Sequence, residues 1–264
     1  MEKIVEIKDN ISIGKNSNQD LIADLFLPPE GASNGAAIVI VHGGGWREGD
    51  KSQLRGYGIL LAREGFVCLC TSYRLSEEEK WPAQIQDVKC AVRYIRANAD
   101  LLNIDPNRIG ISGNSAGGHL SLMAGLREYS PKFEGEAGNN DVNSSVKAVC
   151  AIYPPAQIRK YENTDPINDA YKTLMGVEAP QEEYDLASPL LQIRDDFPPT
   201  MLIHGSTDSV VNLSDTTDLY KILVDLNIPA ELHIYSEEEH AFDSQSGYGR
   251  SVADLQALFF QKYL

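Results

Sequence analysis

Four stretches of this chain are almost continuously apolar: residues 36–41 (AAIVIV), 66–71 (FVCLCT), 146–153 (VKAVCAIY) and 200–204 (TMLIH). A strand that faces water on one side alternates apolar and polar positions. Runs without that alternation are expected where a strand is covered on both faces. Between them lie patterns of helical period. In 83–99, Ile85, Val88, Val92, Ile95 and Ala99 recur at steps of three and four, with Pro82 in the first turn; 213–226 and 251–264 (Val252, Leu255, Leu258, Phe259) repeat the pattern. Strands alternating with helices predict an α/β fold, a mainly parallel twisted sheet with helices on both faces. Residues 4–7 and 21–27 alternate apolar and polar, as half-buried antiparallel strands do, and Pro28-Pro29-Glu30-Gly31 closes the second, so an antiparallel N-terminal edge is expected.

The chain of 264 residues shows no compositional seam, so a single domain over 1–264 is expected. One connection is long, 154–199, and contains a helix signal of its own: Asp165-Pro166, then Ile167, Ala170, Tyr171 and Leu174, ending at Gly176. Connections of this length inside compact domains are usually lids or binding loops. The acidic, glycine-containing 134–143 reads as a surface loop.

Chemistry concentrates in 108–120, RIGISGNSAGGHL: a short β-leaning run enters Gly113-Asn114-Ser115-Ala116-Gly117 and a helical segment follows. This is the strand, sharp turn and helix that a G-x-S-x-G nucleophile elbow requires. It would put Ser115 at the N-terminus of a helix, where the dipole and the free Ala116 amide favour developing negative charge. His42-Gly43-Gly44-Gly45-Trp46 directly follows the first buried run, leaving bare amides at the carboxyl edge of the sheet. We assign the oxyanion donors to Gly44, Gly45 and Ala116. A phosphate loop is the competing reading, but Gly49 is followed by Asp50, and the lysine comes one place too late.

The formal charge of −15 argues against nucleic acid and against an anionic membrane surface, and favours neutral or cationic small substrates over polyanions. No run approaches the length of a membrane span, and no secretory leader is read at the N-terminus. Cys68, Cys70, Cys90 and Cys150 sit inside apolar runs and read as reduced core residues in a cytoplasmic protein. The five histidines form no pair at i and i+4, so no metal and no other cofactor is expected.

HGGGW followed some seventy residues later by GNSAGGHL, with the Asp105-Pro106-Asn107-Arg108-Ile109 lead-in, Ser188-Pro189 and HGSTDSVV, resembles the α/β-hydrolase superfamily. More closely, it is similar to the esterase branch shared by hormone-sensitive-lipase-like enzymes and bacterial acetyl and feruloyl esterases acting on plant polysaccharides. The resemblance implies a serine, acid, histidine triad in that chain order. Asp208 is the acid candidate because its turn follows the run at 200–204; Asp215, Asp218 and Asp243 are rivals, the first two explicable by helix capping or solvation. His240 is the base candidate because the resemblance puts the histidine in the loop after 231–235. Glu237, Glu238 and Glu239 precede it and bring negative charge beside the imidazole.

The resemblance further implies a serine carboxylesterase of short-chain esters, acetyl or feruloyl esters of carbohydrate such as xylan oligosaccharides. Trp46, Tyr73 and Trp81 are candidates for stacking on the substrate, with ordinary packing as the other reading. An arylformamidase-like amidohydrolase uses a similar loop and triad, and a non-catalytic ligand-binding homologue is a third reading. The partner expected is a small-molecule or oligosaccharide ester; homo-oligomerisation stays open.

Overall fold

The computed structural model describes residues 4–16, 19–127, 130–160 and 166–264. Eight strands form one sheet: β1 (Glu6–Lys15), β2 (Asp20–Leu27), β3 (Ala37–Val41), β4 (Val67–Thr71), β5 (Ile109–Asn114), β6 (Ala148–Ile152), β7 (Thr200–Gly205) and β8 (Ala230–Tyr235). The spatial order is β1-β2-β4-β3-β5-β6-β7-β8, antiparallel from β1 to β4 and parallel beyond. The helices are α1 (Arg55–Arg63), α2 (Ala83–Ala97), α3 (Ala99–Leu102), α4 (Ala116–Gly125), α5 (Pro166–Met175), α6 (Gln181–Leu186), α7 (Pro189–Gln192), α8 (Leu213–Asp225) and α9 (Ser246–Tyr263).

Strands β3 to β7 are buried along their length, apart from the half-buried Asn114 at the end of β5, because both sheet faces are covered. Along β3 the side chains divide by parity. Ala37, Val39 and Val41 join a core under α2, α4 and α8; Ile38 and Ile40 join a second core under α1 and α9. A slip of one residue would exchange the two sets, and each fully buried Val or Ile is worth about 1.5–3 kcal/mol, so the register is fixed.

The order β4-β3-β5 makes the chain leave β3 and β5 in opposite directions. The helix after β3, α1, lies on one face and the helix after β5, α4, on the other. A crevice opens where adjacent parallel strands diverge in this way, at their carboxyl ends. That crevice holds the 42–46 loop and Ser115.

Some boundaries differ from the sequence reading. The first strand extends to Lys15, past the predicted 4–7, because register shifts between Lys8 and Ile11 and between Ser12 and Gly14 break the alternation that marks a strand. In the long connection α5 is present; Asp165, read as its lead-in, lies outside the described residues. The 134–143 segment is no plain surface loop, since the Glu134 carboxylate receives Lys89 at 2.5 Å and Ser144 at 2.7 Å, tying it to buried cations of α2. All four cysteines are buried and unpaired, and among the described residues no helix is long and apolar enough to cross a membrane.

Asp24 on β2 is fully buried. It accepts the Asn10 amide at 2.9 Å, Lys51 at 3.0 Å and Arg55. Burial raises its pKa, but these bonds outweigh burial and hold the group below the ordinary value. Because Lys51 and Arg55 belong to the segment that carries the chain from the 42–46 loop into α1, this ion cluster fastens the loop's exit to β2. Asp24→Ala, which leaves both cations facing a vacated buried site, is expected to lower unfolding free energy at neutral pH by about 2–4 kcal/mol in urea denaturation.

Candidate active site

The Arg108-to-Leu120 segment folds as the elbow its glycines permit. Ser115 adopts φ 51° and ψ −121°, a sparsely populated conformation for a residue with a side chain, between the end of β5 and the first residue of α4. A Cβ at Gly117 would stand 2.0 Å from the Val41 carbonyl oxygen and 2.5 Å from that of His42. The start of α4 therefore lies against the end of β3, at the mouth of the glycine loop.

Ser115 Oγ is 3.0 Å from His240 Nε2, and His240 Nδ1 is 2.7 Å from Asp208 Oδ2. The carboxylate can only accept, so Nδ1 carries the hydrogen and Nε2 presents its lone pair to the serine hydroxyl. Asp208, whose side chain is fully buried, is itself heavily supported. The Val210 and Val211 amides donate to Oδ1 at 2.9 and 2.8 Å, and His204 Nε2 lies 3.2 Å from Oδ2. Burial raises the Asp208 pKa; the bonds from His204, His240 and Val211 outweigh it and hold the carboxyl far below the ordinary value of 3.8. Of the glutamates before His240, Glu239 serves the loop: it accepts both the amide and the hydroxyl of Ser209, at 3.0 and 2.9 Å, joining the histidine loop to the aspartate loop.

Among the described residues the backbone amides of Gly44, Gly45 and Ala116 have no protein acceptor, and Gly44 and Gly45 line the same cavity as Ser115. Gly44 has φ +99°, and a Cβ there would lie 2.1 Å from the Glu48 carbonyl oxygen. Its own carbonyl accepts the amides of Arg47 and Glu48 at 3.0 and 3.1 Å, folding the loop into a tight turn. Below it, His42 stacks on Tyr73 with ring centroids 4.3 Å apart, while the Tyr73 hydroxyl donates to the carbonyls of His42 and Gly43 at 3.1 and 3.3 Å. Trp46 Nε1 donates to His119 Nδ1 at 3.3 Å, and His119 Nε2 donates to the Ala187 carbonyl at 2.7 Å. Burial brings both His42 and His119 down to about 4, so they are neutral braces near pH 7.

The same contacts correct the substrate-stacking expectation. Trp46, Tyr73 and Trp81 are all buried, and none lines the cavity. Trp46 and Tyr73 hold the glycine loop from beneath, and Trp81 packs against His119 and Phe133 at 5.6 and 5.4 Å. Their packing role, not a ligand, accounts for them.

The rival acids have other partners. Asp215 is buried and accepts the amides of Ala156 and Gln157 and the Arg159 guanidinium, anchoring the start of the long connection; Asn212 caps α8 instead. Asp218 is exposed and pairs with Lys221 at 3.1 Å. Asp243 accepts the hydroxyls of Tyr57, at 2.6 Å, and of Tyr153. The cavity measures about 820 Å³ and runs from the glycine loop past Ser115 and His240 to Asp243, with Ile167 and Ala170 of α5 on one wall.

The BD-FAE family model matches residues 23–223. The chain belongs to the BD-FAE family. This BD-FAE member is similar to esterase LipC of Mycobacterium tuberculosis, 34% identical over 183 residues that cover 66% of this chain and 44% of LipC. It is also similar to esterase LipQ of the same organism, 26% identical over 89% of this chain and 57% of LipQ. The chain thus spans about half the length of these curated relatives. Among solved structures, a truncated carbohydrate esterase from gut microbiota superposes with a TM-score of 0.82 at 29% identity, covering 97% of this chain and 96% of that one. Native Est2, a thermophilic esterase of Thermogutta terrifontis, gives 0.78 at 26% identity, covering 96% and 89%. The fold is that of the α/β-hydrolases, as the sequence resemblance implied.

Sequence reasoning missed three parts of the BD-FAE member's site. His204, read as the end of a strand, lies against Asp208. Tyr153, at φ +37° after β6, sets its ring 4.6 Å from the His240 ring, and its hydroxyl accepts from the Asn114 side chain at 3.0 Å. Tyr57 reaches the cavity from α1, which no periodic pattern announced. Tyr153 and His204 each left a signal, as the last residue of a buried run at the same sheet edge as Ser115.

Asp208 also sets a pH dependence. Its folded pKa lies below the unfolded value, so its contribution to stability is full above about pH 4 and is lost as pH falls further. In urea denaturation, wild type is expected to exceed Asp208→Asn by about 1–3 kcal/mol near neutrality, and the difference is expected to shrink steadily below about pH 4.

Proposed function

We propose that this chain is a serine carboxylesterase that cleaves short-chain esters through an acyl-enzyme, with acetyl or feruloyl esters of carbohydrate as the physiological class. The observation that carries the reading is the continuous hydrogen-bonded series Asp208, His240, Ser115, whose serine end shares one cavity with the unbonded amides of Gly44 and Gly45. In this reading His240 Nε2 takes the Ser115 proton as Oγ attacks the ester carbonyl. Asp208 holds the ring and stabilises the imidazolium that forms. The amides of Gly44, Gly45 and Ala116 receive the oxyanion, and their turn conformation is already fixed, so little reorganisation accompanies the charge. Collapse passes the proton from His240 to the departing alcohol, and water, activated by the same imidazole, releases the acid.

The carbohydrate preference is supported by likeness to the gut-microbiota carbohydrate esterase over nearly the whole of both chains. We further propose that residues 1–264 act as one hydrolase unit in which 154–199 supplies the substrate-facing cap, since Ile167 and Ala170 of α5 stand on the cavity wall.

Acetylated xylooligosaccharide, nitrophenyl acetate to octanoate, methyl ferulate and N-formylkynurenine, assayed side by side, test the reading. Turnover of the acetyl esters is expected to exceed that of the octanoate by tenfold or more, roughly the discrimination a few methylenes allow. Ser115→Ala is expected to lower kcat by about 10⁴-fold or more. Preferred hydrolysis of N-formylkynurenine would replace the esterase reading with an amidohydrolase one, and no turnover of any substrate would leave a binding protein.

A further inference from the structure

The cavity that holds Ser115 and His240 is also lined by groups that take no part in bond cleavage. One of them is Asp243, nearly buried yet on the cavity lining. Oδ2 accepts the Tyr57 hydroxyl at 2.6 Å, and Oδ1 accepts that of Tyr153. Burial first, and the adjacent carboxylate second, push both phenols far above their ordinary range, so both are hydrogen-bond donors. Each carboxylate oxygen has two acceptor positions, and each phenol occupies one. Acceptor capacity therefore remains on a group bordering the cavity.

The surroundings narrow the class of group that could use it. Gln53, Ser244 and Ser246 border the same space, and Leu54 and Leu60 form its apolar wall. The charges on the lining balance, Asp243 and Glu48 against Arg47 and Arg250. A cation would meet the arginines and an anion the carboxylates, whereas an uncharged group rich in hydroxyls finds acceptors, donors and a wall for its carbon skeleton. An acetyl group carries no hydroxyl, so in an acetyl ester the hydroxyls belong to the alcohol.

We propose that Asp243 is a specificity-determining residue that accepts hydroxyl groups of the ester's alcohol portion, so that a polyhydroxylated, uncharged alcohol is preferred over an alkyl alcohol of the same size. The proposal rests on the esterase reading above and deepens it.

The test compares glycerol 1-monoacetate with propyl acetate, which share the acyl group and the three-carbon alcohol and differ by two hydroxyls. Wild type is expected to favour the monoacetate by roughly tenfold or more in kcat/KM, the size of one hydrogen bond to a charged group. Asp243→Asn is expected to erase most of that ratio, chiefly through the KM of the monoacetate. A residue that merely props Tyr57 and Tyr153 would lower both esters in proportion and leave the ratio intact, and that result overturns the proposal. So does a wild type that shows no preference, a measurement that decides the matter even if the variant fails to fold. Hydrolysis of propyl acetate without preference would remove the subsite alone; hydrolysis of neither ester, nor of nitrophenyl acetate, would remove the esterase reading beneath it.

Discussion

The close passage of α4 beneath the end of β3 is the constraint on which the arrangement at the sheet edge depends. Residue 117 can only be glycine if the Val41 and His42 carbonyls are to stay where they are. That contact brings the glycine loop, which begins at His42, over the turn that exposes Ser115. The strained backbone of Ser115 and the unbonded amides opposite it are thus two results of one packing event. The braces beneath, His42 on Tyr73 and Trp46 on His119, are neutral and buried, so the loop is held by packing and hydrogen bonds that do not change charge near pH 7.

The polar half of the site follows a different logic. Asp208 is a fully buried carboxylate, costly unless its lone pairs are filled. Two backbone amides and two histidines fill them, and the sum of those bonds exceeds the cost of burial. The result is a fixed negative end against which the His240 ring is oriented. The ring's other side rests against Tyr153, whose hydroxyl ties Asn114, beside Ser115, to Asp243. Orientation of the imidazole is therefore determined from the aspartate side and from the cavity side together.

Legibility in the sequence tracked how local the determining physics is. The doubly covered strands were readable because both-face burial removes polar positions from a five-residue run. The elbow and Asp208 were legible as candidates because short motifs carry them, and His240 because the family resemblance points to its loop; the structure brings the three within hydrogen-bond distance. Helix α1 was not: RGYGILLAR contains two glycines, and its helix is held by packing of Tyr57, Leu61 and Ala62 into the core beneath α9. The 134–143 segment looked like free loop because its anchors, Lys89 and Arg93, lie some forty residues earlier. Trp46, Tyr73 and Trp81 misled for the same reason, since proximity to the sheet edge does not say which way a ring turns. The Tyr57 bond to Asp243 spans 186 residues, a separation at which no pattern in one sequence speaks.

Activation of the Ser115 hydroxyl by the imidazole of His240, under the hold of Asp208, is read most directly from the site and rate of covalent labelling by a fluorophosphonate. One adduct is expected, on the peptide containing Ser115, formed at least about 10³-fold more slowly in His240→Ala and Asp208→Asn. An adduct elsewhere, or undiminished labelling of Ser115 in both folded variants, would contradict it.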